Sequence, residues 1–370
     1  MSGRWSKKQA WEWHDSMPWL RGCNFMGSDC ANRIDQWQEL GFEERLQTAD
    51  RELGLAASIG FNTVRLILQY EVWDEEHDGF MQRFDRYLDT CARHGISAMI
   101  VIGNDCCVPK DEFYVPKHCG PQRYDWGYHG GVKNSPHRKL PAMGFNVLDE
   151  PATHERFLQM TAEILTKYAH DSRICVWDLY NEPGNCLRGE VTIPNLKEIF
   201  KLAWDIRPDQ PLTASSFNFF QCPEVDRIAL EYSDIINFHM YGNYEANIKA
   251  LHKLRQLERP LVNSEWLHRI FHCDVKDIFP LYFLEKVGCY CWGFVAGLSQ
   301  TYEPWESIWQ SAENGKLPAS YDISRWQHDL MRPNLRPYDP REIAIIKEYS
   351  KMADDDFAAR KSKSGELKLG

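Results

Sequence analysis

Two glutamates end short apolar runs. The first lies in Val176-Trp177-Asp178-Leu179-Tyr180-Asn181-Glu182-Pro183-Gly184-Asn185, where the run stops at Asn-Glu-Pro. Proline cannot donate to a strand ladder, so Pro183 ends pairing. The residue before a proline is pushed toward extended backbone, so Glu182 is expected extended at a strand's C-terminal tip. The second lies in Arg259-Pro260-Leu261-Val262-Asn263-Ser264-Glu265-Trp266. The alternative for Glu182, a turn with a solvated glutamate, is disfavoured by the specific string around it; Glu265 alone could be an ordinary surface residue, but paired with Glu182 it argues for a joint role. Such a pair can flank one glycosidic bond, with carboxyl groups about 5 to 5.5 Å apart. One attacks the anomeric carbon, while the other protonates the leaving oxygen and then deprotonates water. The acid must be neutral near working pH and the nucleophile ionised.

Candidates to enforce that difference sit at other strand ends. Arg65 closes Asn62-Thr63-Val64-Arg65. A charge inside an apolar strand is costly unless paired, so Arg65 is expected beside a carboxylate. His239 and Tyr241 alternate in Asn237-Phe238-His239-Met240-Tyr241, and a period of two puts them on one face. Trp292 stands at the tip of another strand, in Cys291-Trp292-Gly293-Phe294. The ordinary explanations are a satisfied core histidine and a packed tryptophan. Most of the 14 Trp must be core, but a few suit the flat apolar faces of sugars.

Eight β-rich segments would position these residues: 19–26, 62–68, 97–103, 174–180, 212–216, 235–241, 260–264 and 288–293. Amphipathic stretches predict helices at 48–59, 80–94, 155–170, 195–206, 222–232, 244–257 and 275–285. Glycines just past a helix, as in Ile59-Gly60 and His94-Gly95, suit left-handed caps. Alternating strands and helices predict parallel α/β architecture, and eight strands favour a single closed (β/α)₈ TIM barrel over an open sheet. The predicted barrel spans 17–353, after an N-terminal extension at 1–16. The polar tail 354–370 is expected to lack fixed structure. Long loops follow strand three (104–149) and strand eight (299–324), on the face where barrel active sites sit. The first holds Tyr124, Trp126, Tyr128 and His129.

Other classes are disfavoured. A formal net charge of −10 and no basic stripe argue against nucleic acid. No apolar run is long enough to span a membrane. The N-terminus lacks the apolar segment of an export signal, which predicts a cytoplasmic protein; a secreted or periplasmic chain already relieved of a leader would read the same. The 12 Cys have no zinc-site spacing and are expected as free thiols. His118, His129, His137 and Asp105 share no tight ligand spacing, so no metal is expected. Without a nucleophile elbow, phosphate loop or dinucleotide fingerprint, no cofactor is expected.

Asn181-Glu182-Pro183, strand-end Glu265, Arg65, His239-Met240-Tyr241 and Trp292 together resemble the signature of clan A retaining glycoside hydrolases, and are most similar to glycoside hydrolase family 5. The order also matches: Arg on strand two, Asn-Glu on four, His-x-Tyr on six, Glu on seven, Trp on eight. The strings Trp19-Leu20-Arg21-Gly22-Cys23-Asn24-Phe25 and Val295-Ala296-Gly297-Leu298-Ser299-Gln300-Thr301 resemble a bacterial group labelled cellulase-like or xylanase-like. The likeness covers roughly residues 17 to 345.

This resemblance implies Glu182 as acid/base and Glu265 as nucleophile. Asn181 would hold the sugar 2-hydroxyl, Arg65 and Tyr241 would support Glu265, His239 would hydrogen-bond near the pair, and Trp292 would lie under the reacting sugar. Asn24 and Trp266 join the substrate-binding or supporting set. Many family 5 members place a histidine after strand three, where this chain reads Asn104-Asp105. Either residue is expected to contact the non-reducing sugar instead, away from ordinary cellulase or mannanase specificity. With the 104–149 insertion closing one end of the cleft, the expected enzyme is exo-acting or works on short β-linked oligosaccharides or glycosides. A transglycosidase would use the same pair. A barrel that binds carbohydrate without catalysis is the alternative of another class, against which every expected catalytic position is filled.

Overall fold

Strands buried on both sides must be covered by a helix layer outside and by side chains within, and a closed parallel barrel achieves both. The computed structural model describes residues 3–107, 118–123, 142–217 and 223–366. Its strands are β1 (Arg21–Asn24), β2 (Thr63–Ile67), β3 (Ser97–Asn104), β4 (Ile174–Asn181), β5 (Leu212–Ser216), β6 (Ile236–His239), β7 (Leu261–Trp266) and β8 (Gly288–Cys291). They form one closed barrel in chain order. β8 returns to β1 in parallel, with Gly22 opposite Tyr290. Each strand falls within, or within two residues of, an expected segment; β1, β2, β6 and β8 are shorter, and Tyr241 lies beyond β6.

The register slips between Asp178 and Tyr180, between Phe238 and His239, and between Asn263 and Trp266. Such irregularities re-aim side chains. All three lie where β4, β6 and β7 approach the candidate residues.

The helix layer packs through large apolar side chains. Trp37 meets Phe80, Phe84 and Tyr87 with ring centroids 5.0–6.0 Å apart. Below the barrel, the helix Lys7–Ser16 starts with a Ser6–Gln9 capping box. Its Ala10 is buried among Leu20, Met99, Val176, Val262 and Tyr290, with Trp5, Trp13 and Met17 packed alongside. The segment 3–16 thus plugs the barrel floor.

The C-terminus differs from expectation. One helix runs Pro340–Glu366 and takes in most of the segment expected to lack structure. Lys351–Asp355 and Arg360–Asp356 pair at i,i+4, and Asp354 meets the buried Arg21 at 2.7 Å. A helix, Glu306–Glu313, also lies in the loop after β8. Of the loop after β3, Tyr124, Trp126, Tyr128, His129 and His137 lie outside the described residues. His118 is exposed and pairs with Glu75. Among the described residues, no helix is long and apolar enough to cross a membrane.

Candidate active site

A buried guanidinium organises the mouth of the barrel. Arg65 has five N–H donors, and all five are used. Nε and Nη2 donate to Asp178 Oδ2 at 3.1 and 2.8 Å. Nη1 donates to Glu265 Oε1 at 2.7 Å and Asn24 Oδ1 at 2.8 Å. Nη2 also donates to Asn181 Oδ1 at 2.6 Å. The strand charge that demanded a partner therefore has two carboxylates.

Glu265 takes its second donor from Tyr241, whose hydroxyl lies 2.7 Å from Oε2. Glu182 is held differently: Asn185 Nδ2 donates to its Oε2 at 2.6 Å, and His239 Nδ1 lies 2.7 Å from its Oε1. His239 Nδ1 is also 3.5 Å from Glu265 Oε2, while Nε2 lies 2.9 Å from Ser264 Oγ. With the serine donating to Nε2, Nδ1 carries the proton and faces the glutamates. Burial pulls the imidazole pKa down to about 3, so His239 is neutral. Burial likewise raises Glu182 to about 7 against the opposing Asn185 hydrogen bond. It raises Glu265 too, opposed by His239, Arg65 and Tyr241. Of the two glutamates only Glu265 has a direct Arg65 contact, so the ionised form is favoured there.

The backbone at Glu182 is not extended. Its φ is +48°, a left-handed conformation rare outside glycine and further disfavoured before proline. Tertiary contacts overrule the local preference. Ser215 Oγ accepts from the Glu182 N–H at 3.2 Å, and the Asn185 N–H closes the turn onto the Glu182 carbonyl at 3.0 Å. The Gly184 N–H donates to Asp105 Oδ2 at 2.8 Å. A non-glycine residue held this way carries strain of about 1–3 kcal/mol, and such strain clusters at functional sites.

Two expected site residues lie elsewhere. Asp105 is fully buried beneath the Glu182 turn, 2.8 Å from Arg188 Nε, and accepts from Tyr180 Oη at 2.9 Å and Asn146 Nδ2 at 3.0 Å. It supports the turn and does not line the cavity into which the glutamates open. Trp266 is 1% exposed and packs on Phe279 and Tyr282 in the helix layer. Asn24 bridges Arg65 to the β7 and β8 backbone, donating to the Ser264 and Cys291 carbonyls. Asn181 Nδ2 donates to Asn104 Oδ1 at 2.7 Å, so Asn104 reaches the site through Asn181.

The glutamates open into a cavity of about 380 Å³, lined also by Trp292, Trp305, Phe271, Phe217 and Cys106. Trp292 packs with Ile67, Val101 and Tyr241. Trp305, from the loop after β8, meets Tyr241 edge-on at 5.5 Å. Sequence reasoning missed Asp178, Asn185 and Trp305. Asp178 carries the signal that marked Arg65, a charge within an apolar strand.

One oxygen each of Glu182 and Glu265 and a nitrogen of His239 lie within 4.8 Å of one another, the single grouping among the described residues with cation-ligand spacing. Both Glu265 oxygens already accept from Arg65 and Tyr241, so a cation there would confront a guanidinium across one carboxylate.

The sequence matches no family model and no curated protein. Solved structures share its fold. An exo-β-1,4-mannosidase, Op5Man5, from an Opitutaceae bacterium superposes with a TM-score of 0.59 at 15% identity, covering 91% of this chain and 60% of that longer one. A glycoside hydrolase family 5 mannosidase from Rhizomucor miehei gives 0.56 at 14% identity, covering 92% and 94%. What the chain shares with these family 5 structures is the (β/α)₈ barrel fold. A GH5_18 protein from Streptomyces cattleya in complex with GlcNAc gives 0.58 at 11% identity, covering 90% and 80%. At such identities the likeness is one of fold; the chemistry has to be argued from the site.

Proposed function

We propose that the protein is a retaining β-glycoside hydrolase, with Glu265 as nucleophile and Glu182 as acid/base. The observation that carries this reading is the approach of one carboxylate oxygen each of Glu182, just after β4, and Glu265, on β7, to within 4.8 Å, with Arg65 and Tyr241 bonded to Glu265 and not to Glu182. A retaining pair needs about 5–5.5 Å between its carboxyl groups, whereas an inverting pair must leave room for water.

In the first step a Glu265 oxygen attacks the anomeric carbon as the Glu182 proton passes to the glycosidic oxygen, and the aglycone leaves. The product is a glycosyl ester on Glu265 and an ionised Glu182. Esterification removes the Glu265 charge, so Glu182 loses a like-charged neighbour and its pKa falls. It then takes a proton from water, which attacks the anomeric carbon and frees Glu265. The neutral His239 orients Glu182 without competing for the proton. The second amide hydrogen of Asn181 is the donor for a sugar 2-hydroxyl. Trp292 and Trp305 supply flat apolar walls for sugar rings.

The expected substrates are short β-linked oligosaccharides or glycosides cut from an end, because the cavity abuts the insertion after β3 at Cys106. β-Mannosides are the first to test, since two fold neighbours are named mannosidases. The experiment is a panel of aryl β-glycosides (gluco, galacto, manno, xylo, fuco) with wild type, Glu182→Ala and Glu265→Ala, with and without azide. The reading requires an inverted glycosyl azide from Glu265→Ala and a retained one from Glu182→Ala. Cleavage that persists undiminished in both variants would refute it.

A further inference from the structure

Arg65 does not serve Glu265 alone. Two of its hydrogen bonds go to Asp178 Oδ2 and one to Glu265 Oε1. The Arg65 and Asp178 side chains have no exposed surface. Asn237 Nδ2 donates to the same Asp178 oxygen at 3.1 Å, fixing it from β6. Because every Arg65 donor is engaged, the guanidinium cannot turn toward one carboxylate without abandoning another partner. One positive charge is divided between a carboxylate within the barrel and a carboxylate in the cavity. Asp178 does not line that cavity.

We infer that Asp178 is a positioning residue for the nucleophile: it locks Arg65 in place and, as a second negative charge on that guanidinium, limits how strongly Arg65 stabilises ionised Glu265. Its kinetic consequences rest on the hydrolase reading. A carboxylate nucleophile must be ionised yet still reactive. An arginine committed wholly to Glu265 would secure the first at the expense of the second. Charge balance points the same way. With Glu182 protonated, Arg65, Asp178 and Glu265 sum to −1, which favours the positive charge that develops at the anomeric carbon. With Asp178 neutral the sum is zero.

The other charged or titratable groups facing Glu265 are Glu182 after β4, His239 on β6, Tyr241 after β6 and Cys106 after β3. Arg65 is the strongest charged influence on Asp178, and it opposes the burial that pushes this carboxyl up to about 6. An Asp178 substitution therefore reaches Glu265 through Arg65.

The test is the pH profile of kcat/KM for wild type and Asp178→Asn, on whichever aryl glycoside the wild type cleaves best. Removing the rival carboxylate gives Glu265 the whole guanidinium and lowers its pKa. The acid limb is expected to move to lower pH by about one unit, with a lower kcat and an unchanged KM. A purely structural Asp178 would reduce the amount of folded enzyme and leave the limb in place. A folded Asp178→Asn with an unmoved acid limb overturns the inference. Should that variant not fold, ¹³C-carboxyl titration of the wild type decides: two-step, mutually dependent titration of Asp178 and Glu265 is expected, and two independent single steps overturn it. That titration needs no substrate. If wild type cleaves no glycoside, the hydrolase reading is in trouble while the role of Asp178 is still decided.

Discussion

The Gly184 N–H donates to the buried Asp105 carboxylate at 2.8 Å, which ties the turn after Glu182 to the end of β3. The contact holds a left-handed glutamate in place, and Asp105 is anchored in turn by Arg188 at 2.8 Å. Replacing Asp105 by alanine would unfasten the turn and strip the buried Arg188 of one of its two carboxylates. A stability loss of about 3 kcal/mol is expected from breaking a buried pair. Asp105→Asn keeps the shape and should cost less. In both variants kcat should fall more than KM, since Asp105 acts on the position of Glu182 and not on sugar. Urea unfolding beside steady-state kinetics would show this, and a KM effect without a kcat effect would return Asp105 to the sugar-contacting role.

Glu182 should make the protein less stable as pH rises. Its pKa is raised to about 7 in the folded state against an ordinary 4.5. Between those values the folded state binds more protons than the unfolded one, so stability is lost as pH rises from about 4.5 through 7. The shift corresponds to about 3 kcal/mol at most. Glu182→Gln should therefore be as stable as wild type near pH 4 and more stable at pH 8, while losing most of its activity. Thermal melts at the two pH values test the sign; a variant with no gain at pH 8 contradicts it.

On the proposed roles, the same group should set the alkaline side of activity. If Glu182 delivers the proton to the leaving oxygen, kcat/KM should fall as pH rises past about 7. Glu182→Gln should lose that limb and retain the acid limb that belongs to Glu265. It should also recover best on aryl glycosides whose leaving groups need no protonation. A pH profile with nitrophenyl and dinitrophenyl glycosides separates these outcomes.

The legible parts of the chain were those where local chemistry and tertiary demand agree. Arg65 in an apolar strand needed an anion, and two are there. His239 and Tyr241 shared a face because period two survives the slip at β6. Trp266 fails by that same rule: next to inward-facing Glu265 it must face outward, and it sits in the helix layer. The conformation of Glu182 could not be read, because the bias before Pro183 is overruled by Ser215 and Asp105, both distant in sequence. The C-terminal helix hides in polar composition, although the pairs Lys351–Asp355 and Asp356–Arg360 carry its spacing. Asp178 was legible by the argument used for Arg65.

That helix bears on stability. Asp354 is the carboxylate on Arg21, a residue 2% exposed beside the barrel floor. Removing residues 354–370 should lower the melting temperature by a few degrees and leave KM unchanged, since the site is at the opposite end of the barrel. Asp354→Asn alone should have a smaller effect, because its side chain is more than half exposed and its pair is screened.

The two tryptophans next to site residues offer the cleanest separation of packing from chemistry. Trp266 lies in the helix layer against Phe279 and Tyr282, so Trp266→Ala leaves a large cavity and should cost about 3–5 kcal/mol. Trp292 lines the cavity that holds both glutamates. Trp292→Ala should raise KM or lower kcat/KM at least tenfold, with a smaller stability loss, because its ring borders the cavity that holds both glutamates. Trp292→Phe should restore part of the activity, since a smaller aromatic keeps a flat apolar surface. Kinetics and melts on the three variants form the test. A Trp266→Ala protein of normal stability but weakened substrate binding would put that side chain back in the cleft and displace Trp292 as the sugar platform.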